Sequence, residues 1–210
     1  MPQTTPTPTS GKSSRDATRD RILDACWRLL ERGPGAQVRM GDVAKEAGVS
    51  RQAVYLHFQN RADLLIATTR FIEDRADTEE RLAPSRTATT GQERLESFIQ
   101  AWCGFIPVIH GGAGALMAMA DTDPEAQAAW GNRMEALRQG CEAAITALDR
   151  DGDLDPALTV ERATDSLWAL LSVRLWEQLV QDRGWSQEDY VFEIKRLSRR
   201  AFLKPSGEQG

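Results

Sequence analysis

The stretch from Val43 to Phe58, VAKEAGVSRQAVYLHF, constrains this chain more than any other. Val43, Ala44, Ala47, Val49, Val54 and Phe58 are apolar at spacings that let two crossing helices share one small core. Ala47 is small enough for close helix approach, and Gly48 can take the positive φ that ends the first helix. Ser50 follows as a natural N-cap for the second, its hydroxyl meeting an orphan backbone N–H. That second helix then presents Arg51, Gln52, Ala53, Tyr55, Leu56 and His57 around its outer faces. The pattern is a helix-turn-helix with a short recognition helix, and it points to DNA.

Those residues carry a wider resemblance. AGVSRQAVYLHF followed by QNRADLLIA resembles the DNA-binding signature of the TetR family of transcriptional regulators. Upstream, RDRILDACWRLLERG is similar to that family's first helix, with Ile22, Ala25, Cys26, Leu29 and Leu30 as its apolar face. The match covers about residues 17–67, and the remainder is compatible in length and helical character. The resemblance implies an all-α chain of about nine helices: an N-terminal three-helix head and a C-terminal helical ligand-binding and dimerisation domain. It further implies a homodimer whose two heads meet successive major grooves of a palindromic operator in double-stranded DNA.

Recognition requires donors that reach base edges and others that clamp phosphates. Arg51 can pair bidentately with guanine, Gln52 with adenine, and Ala53 and Leu56 can meet thymine methyls. By resemblance, Arg51, Gln52, Ala53, Leu56 and His57 line the major-groove face, while Tyr55 and Arg61 hold the phosphate backbone. Ser50, Lys45 and Arg39 complete the candidate DNA-contact set. Each has a plainer alternative as a solvated surface side chain. One departure stands out: the family starts its second helix with Ser or Thr, whereas this chain reads Val38-Arg39-Met40-Gly41. A missing side-chain cap costs on the order of 1 kcal/mol, partly offset by Asp42 acting on the helix dipole.

The charge is unevenly divided. Residues 12–61 hold 10 Lys/Arg against 6 Asp/Glu, and residues 62–210 hold 16 against 25, within a total of −5. A basic head on an acidic body suits a protein that touches phosphates at one end, with chance fluctuation as the alternative. No apolar run approaches 20 residues, so no membrane span is expected. The polar start MPQTTPTPTSGKSS has no apolar region of a secretory signal and reads as a disordered arm over 1–14. Three cysteines, Cys26, Cys103 and Cys141, cannot all pair internally and fit a reducing cytoplasm.

The organisation read from pattern is a first helix over about 15–32, stopped by Gly33-Pro34-Gly35, and a DNA-binding unit spanning 15–60. A helix over 61–82 opens the body, 61–203, before the linker 83–91. A helix over 92–109 is expected to break at the GGAG of 111–114, with a short apolar helix at 115–121. A long helix over 124–148, the turn-rich loop 149–156, and two helices at 159–182 and 187–203 complete it, followed by a tail at 204–210.

By resemblance, the last two helices form a four-helix bundle with a second copy. Leu167, Leu170, Leu171, Leu175, Leu179, Tyr190, Ile194, Leu197 and Ala201 are candidates for that seam, or else for the monomer core. The resemblance also implies a body chamber for a small effector. Trp102, Phe105, Ile106, His110, Met117, Trp130, Met134, Trp168 and Leu171 are its candidate lining, which would suit an apolar ligand. Apolar stripes at helical spacing are equally the mark of a core, and His110 can be a helix-end surface residue. No metal site is expected: DRDGDLD has Leu154 where a calcium loop needs Gly and Val160 where it needs Glu. No cofactor motif or catalytic constellation is present, since GGAG lacks the Gly-Lys-Ser/Thr of a phosphate loop. The reading is therefore a regulator, a repressor released from its operator by an apolar small molecule. The alternative keeps DNA binding but places control in a protein partner or in cysteine oxidation.

Overall fold

The computed structural model describes residues 14–32 and 38–205. Gly33-Pro34-Gly35, the expected arm apart from Ser14, and residues 206–210 lie outside them. The described residues form ten α-helices and no strand. The head comprises α1 (Ser14–Glu31), α2 (Met40–Ala47) and α3 (Arg51–His57). Gly48 ends α2 in the left-handed region, at φ 65°, and its N–H bonds the carbonyls of Ala44 and Lys45. The Ser50 hydroxyl caps α3, accepting from the Ala53 N–H at 3.1 Å. Arg39 precedes α2 with no side-chain cap, as its sequence implied. Ile22, Leu23, Cys26, Leu30, Val43, Val54 and Phe58 close the head's core.

The body departs from the sequence reading at three joints. The helix expected over 61–82 divides into α4 (Arg61–Arg75) and α5 (Thr78–Thr87) at Asp77, whose φ of 52° breaks the ladder. Asp is among the few residues that visit this region at low cost. The Thr78 hydroxyl reaches back to the Glu73 carbonyl at 2.6 Å, fixing the corner. Helix α5 then consumes most of the expected linker. It passes through Pro84, which is exposed along with Glu80, the residue whose carbonyl loses its donor.

The second joint is α6 (Gly91–Ala120), which runs unbroken through Pro107 and GGAG. Pro107 deprives the Cys103 carbonyl of its helical donor, and the Gln187 side-chain amide supplies one at 2.8 Å. Gly112 is a packing notch: a Cβ there would stand 2.2 Å from a ring carbon of Trp27. One 18-residue window of α6 reaches a mean hydropathy of 1.5, enough in length and composition to cross a membrane. Its Leu95, Ile99, Cys103 and Ile106 are instead buried in the body's core.

Helix α7 (Pro124–Arg150) begins at Asp123, whose carboxylate accepts from the N–H groups of Glu125 and Ala126. The third joint divides the expected 159–182 helix into α8 (Val160–Leu170) and α9 (Val173–Trp176), the latter continuing as a π-helical turn over Glu177–Asp182. The break frees the Leu171 carbonyl, which takes the Trp102 indole N–H at 2.7 Å. Helix α10 (Gln187–Phe202) closes the chain. The acidic loop is structural: Asp151 accepts from the Gly91 N–H and Asp153 from Gln92. Lys204, at the start of the expected tail, bonds Gly152 and Asp153. Head and body share one apolar seam, because Ala115, Leu116, Ala126 and Ala129 join the head's core.

Candidate nucleic-acid interface and body cavity

Helix α3 buries Val54 and turns the rest outward. Arg51, Gln52, Tyr55 and Leu56 are exposed, Leu56 by 70%, while Ala53 and His57 are half-buried. A leucine this exposed near the end of a short helix gains little from the fold, and its methyl groups are open to an apolar contact such as a thymine methyl. Arg51 lies along Tyr55, one helical turn on, with its guanidinium 5.6 Å from the ring centroid and 3.4 Å from the hydroxyl. The two form a single basic-aromatic unit on the outer face.

Arg39, Arg51, Tyr55 and Arg61 surround one groove with the starts of α2 and α4, so the structure gathers four of the candidate contacts. Lys45 is exposed on α2. Ser50 serves the fold as the cap of α3. Arg61 departs from the expectation: its guanidinium is committed inward, to the Val38 carbonyl and the Asp123 carboxylate, with Glu125 at 3.6 Å. Its side chain is only 15% exposed, so it ties head to body.

Two basic residues escaped the sequence reading. Arg15 and Arg19, four apart at the start of α1, bring their charge to His57. Partial burial first, and then these two arginines, hold the His57 imidazole below its ordinary value, so it is neutral near pH 7. Arg19 also lies over the Phe58 ring at 5.3 Å. Their i, i+4 spacing was the available signal.

In the body, α1, α4, α5, α6 and α7 enclose a cavity of about 300 Å³. Trp102, Phe105, Trp130 and Met134 line it, as the stripe pattern implied. Ile109, four residues on from Phe105, continues that stripe, while Trp27, Ile72 and Phe98 add walls that the sequence reading did not include. The other candidates lie elsewhere. Ile106, Met117 and Leu171 are buried core. His110 packs on Trp176, with its Nε2 3.1 Å from Glu177. The half-exposed Trp168 donates to the Met134 carbonyl from the far side of α7.

Inside the cavity Arg133 pairs with Glu73, joining α7 to α4. Burial pushes the Glu73 carboxyl above its usual range, more than Arg133 pulls it down. The second amino group of Arg133 bonds Asn132 at 2.8 Å, while its Nε is buried with no acceptor. A pair of residues 60 positions apart leaves no local sequence signature.

Among the proposed seam residues, Leu167, Leu171, Tyr190 and Ile194 are fully buried in the monomer's own core, which takes them out of any contact surface. Leu170, Leu175 and Leu179 are half-buried, and Leu197 and Ala201 are exposed. Phe192, not among the candidates, is 65% exposed on α10. No group of His, Cys, Asp and Glu among the described residues could hold a metal ion.

Residues 22–68 match the family model described as bacterial regulatory proteins, tetR family. The AcrR transcriptional regulator of Shigella flexneri is 40% identical over 53 residues, 25% of each chain. The first curated relatives are matched over about a quarter to a third of their own length. The fold extends further. The transcriptional regulator FadR from Bacillus subtilis, in complex with stearoyl-CoA, aligns with a TM-score of 0.68 at 19% identity, over 86% of this chain and 97% of that one. A Saccharomonospora viridis structure in complex with choline aligns with a TM-score of 0.70 at 20% identity, over 90% of this chain and 100% of that one. The head thus matches the tetR family of bacterial regulatory proteins over residues 22–68, and the chain as a whole shares its fold with these two solved structures.

Proposed function

We propose that this protein is a DNA-binding transcriptional regulator, a repressor that leaves a palindromic operator when a small molecule fills the body cavity. The observation that carries this reading is the outward face of α3, where Arg51, Gln52, Tyr55 and Leu56 are exposed on a helix whose one buried residue is Val54. Selection of random duplexes on the purified protein tests it. The expected result is an enriched palindrome whose binding falls by on the order of tenfold or more in Arg51→Ala, with relaxed preference at one base pair. Salt-dependent binding without enrichment would refute the reading.

Helix α4 offers a route from cavity to head. Its first residue, Arg61, holds Asp123 at the start of α7, and its Glu73 holds Arg133 further along α7. A ligand that separates Glu73 from Arg133 changes how α4 sits on α7, and the head rests on α4. The effect on DNA requires differential ligand affinity between two head positions. Two same-fold chains hold choline and stearoyl-CoA, which supports an effector without fixing its type. Dimerisation would use Phe192, Leu197 and Ala201 of α10, and Phe192→Glu should yield monomers in light scattering.

Thiol-based control finds no support. Cys26, Cys103 and Cys141 are buried, and burial raises their pKa values to about 11, 12 and 12 respectively. Protonated, enclosed thiols are poor oxidation sensors.

A further inference from the structure

The cavity's charges narrow the class of effector, on the reading that the cavity is an effector site. Its lining carries Glu73 and Glu79 against Arg81, Arg86 and Arg133. Both carboxylates are already engaged, Glu73 by Arg133 and Glu79 by Arg86. Arg81 bonds the main-chain carbonyls of Ala76 and Gly104 and forms no ion pair among the described residues. Arg133 adds an enclosed Nε–H without an acceptor. A buried guanidinium lacking one of its acceptors is a costly arrangement, and because this Nε is closed off even from a water-sized oxygen, a bound acceptor reaches it only as the Arg133–Glu73 pair opens. What the cavity lacks is therefore an acceptor.

We propose that the effector is an apolar carboxylic acid in its ionised form, its body among Trp27, Phe98, Trp102 and Trp130 and its carboxylate on Arg133. A cationic ligand would gain from the aromatic faces. It would find both carboxylates occupied and a guanidinium beside each. A neutral apolar ligand would fill the volume and leave the Arg133 Nε–H as it is. The carboxylate also competes with Glu73 for Arg133, and desolvation already makes ionised Glu73 the weaker holder. Binding would thus act on the link between α4 and α7.

Tryptophan fluorescence titration of the full chain with decanoate, decanol and decyltrimethylammonium tests this directly, because Trp27, Trp102 and Trp130 line the cavity. Decanoate should bind about tenfold or more tighter than decanol, the weight of one charge-assisted hydrogen bond. In the double variant Glu73→Gln/Arg133→Gln, which replaces the ion pair by two amides, that preference should vanish while decanol affinity persists. Arg81→Gln, at the exposed edge, should lower decanoate affinity by a smaller factor. Equal binding of decanoate and decanol overturns the carboxylate class and leaves the effector site standing. So does tighter binding of decyltrimethylammonium, whereas a preference that survives in the double variant overturns Arg133 as the group that holds the carboxylate. If none of the three binds, the effector reading itself falls together with the proposal.

Discussion

The contact between Arg61 and Asp123 sets a measurable share of the stability that joins head to body. Asp123 does two things at once: its carboxylate caps α7 through the N–H groups of Glu125 and Ala126, and it neutralises a guanidinium that is 15% exposed. Loss of an N-cap costs about 1 kcal/mol. Leaving a largely enclosed cation without its closest anion costs about 1–3 kcal/mol more, with Glu125 at 3.6 Å softening the loss. Asp123→Ala should therefore destabilise by about 3 kcal/mol in denaturant unfolding, or lower Tm by about 6–12 °C for a chain of this size. Asp123→Asn retains the capping oxygen and loses the charge, so it should fall roughly midway. A double-mutant cycle with Arg61→Ala isolates the pair and should give a coupling of about 1–2 kcal/mol. Additivity within about 0.5 kcal/mol, or an Asp123→Ala variant as stable as the parent, would refute the linkage.

The same pair has a pH signature whose sign follows from its geometry. Burial works to raise the Asp123 carboxyl, yet the Arg61 guanidinium and the two backbone N–H groups together hold it below its usual value. A group depressed in the folded state binds its proton more readily when unfolded. Its contribution is fully present above the unfolded value of about 3.9 and is lost as pH falls through the depressed one. The stability difference between the parent and Asp123→Asn should accordingly shrink below about pH 4.

Three further outcomes are expected. Gly112→Ala should destabilise by about 1–3 kcal/mol and shift Trp27 emission, because the added carbon would lie 2.2 Å from that ring; an unperturbed spectrum would remove the notch. Ser50→Ala should cost about 1 kcal/mol and weaken DNA binding through disorder at the start of α3, since its hydroxyl holds the Ala53 N–H; unchanged unfolding and binding would contradict this. All three thiols should resist an aromatic disulfide reagent in the native protein and react after denaturation, given their burial; fast native labelling would reopen thiol control.

The head was legible in the sequence because its determinants are local. Gly48 stops α2, Ser50 starts α3, and the apolar spacing of Val43, Val54 and Phe58 leaves one way to close them. The body resisted where distant partners overrode local signals. Pro107 is carried inside α6 because Gln187, 84 residues from Cys103, supplies the donor that the proline withholds. GGAG reads as a turn, and is a notch because Trp27 crosses there. The corner at Asp77 left no mark that propensity could detect. Leucine and tyrosine periodicity on α8 and α10 announced burial without saying against what, and Leu167, Tyr190 and Ile194 prove to face their own chain.

The cavity shows the same division more sharply. Trp102 with Phe105, and Trp130 with Met134, sit three and four apart on single helices, so their shared face was readable. The Glu73–Arg133 pair depends on α4 and α7 meeting, which only the tertiary fold decides. On the effector reading, the apolar lining would account for holding a ligand and the long-range charges for choosing it. If the head's specificity is written in α3 and the effector's in residues from two helices, the two can change independently. A chain with this head and a different residue at position 133 would keep its operator and answer to a different molecule, a separation that the Glu73→Gln/Arg133→Gln variant would display as intact DNA binding with lost carboxylate preference.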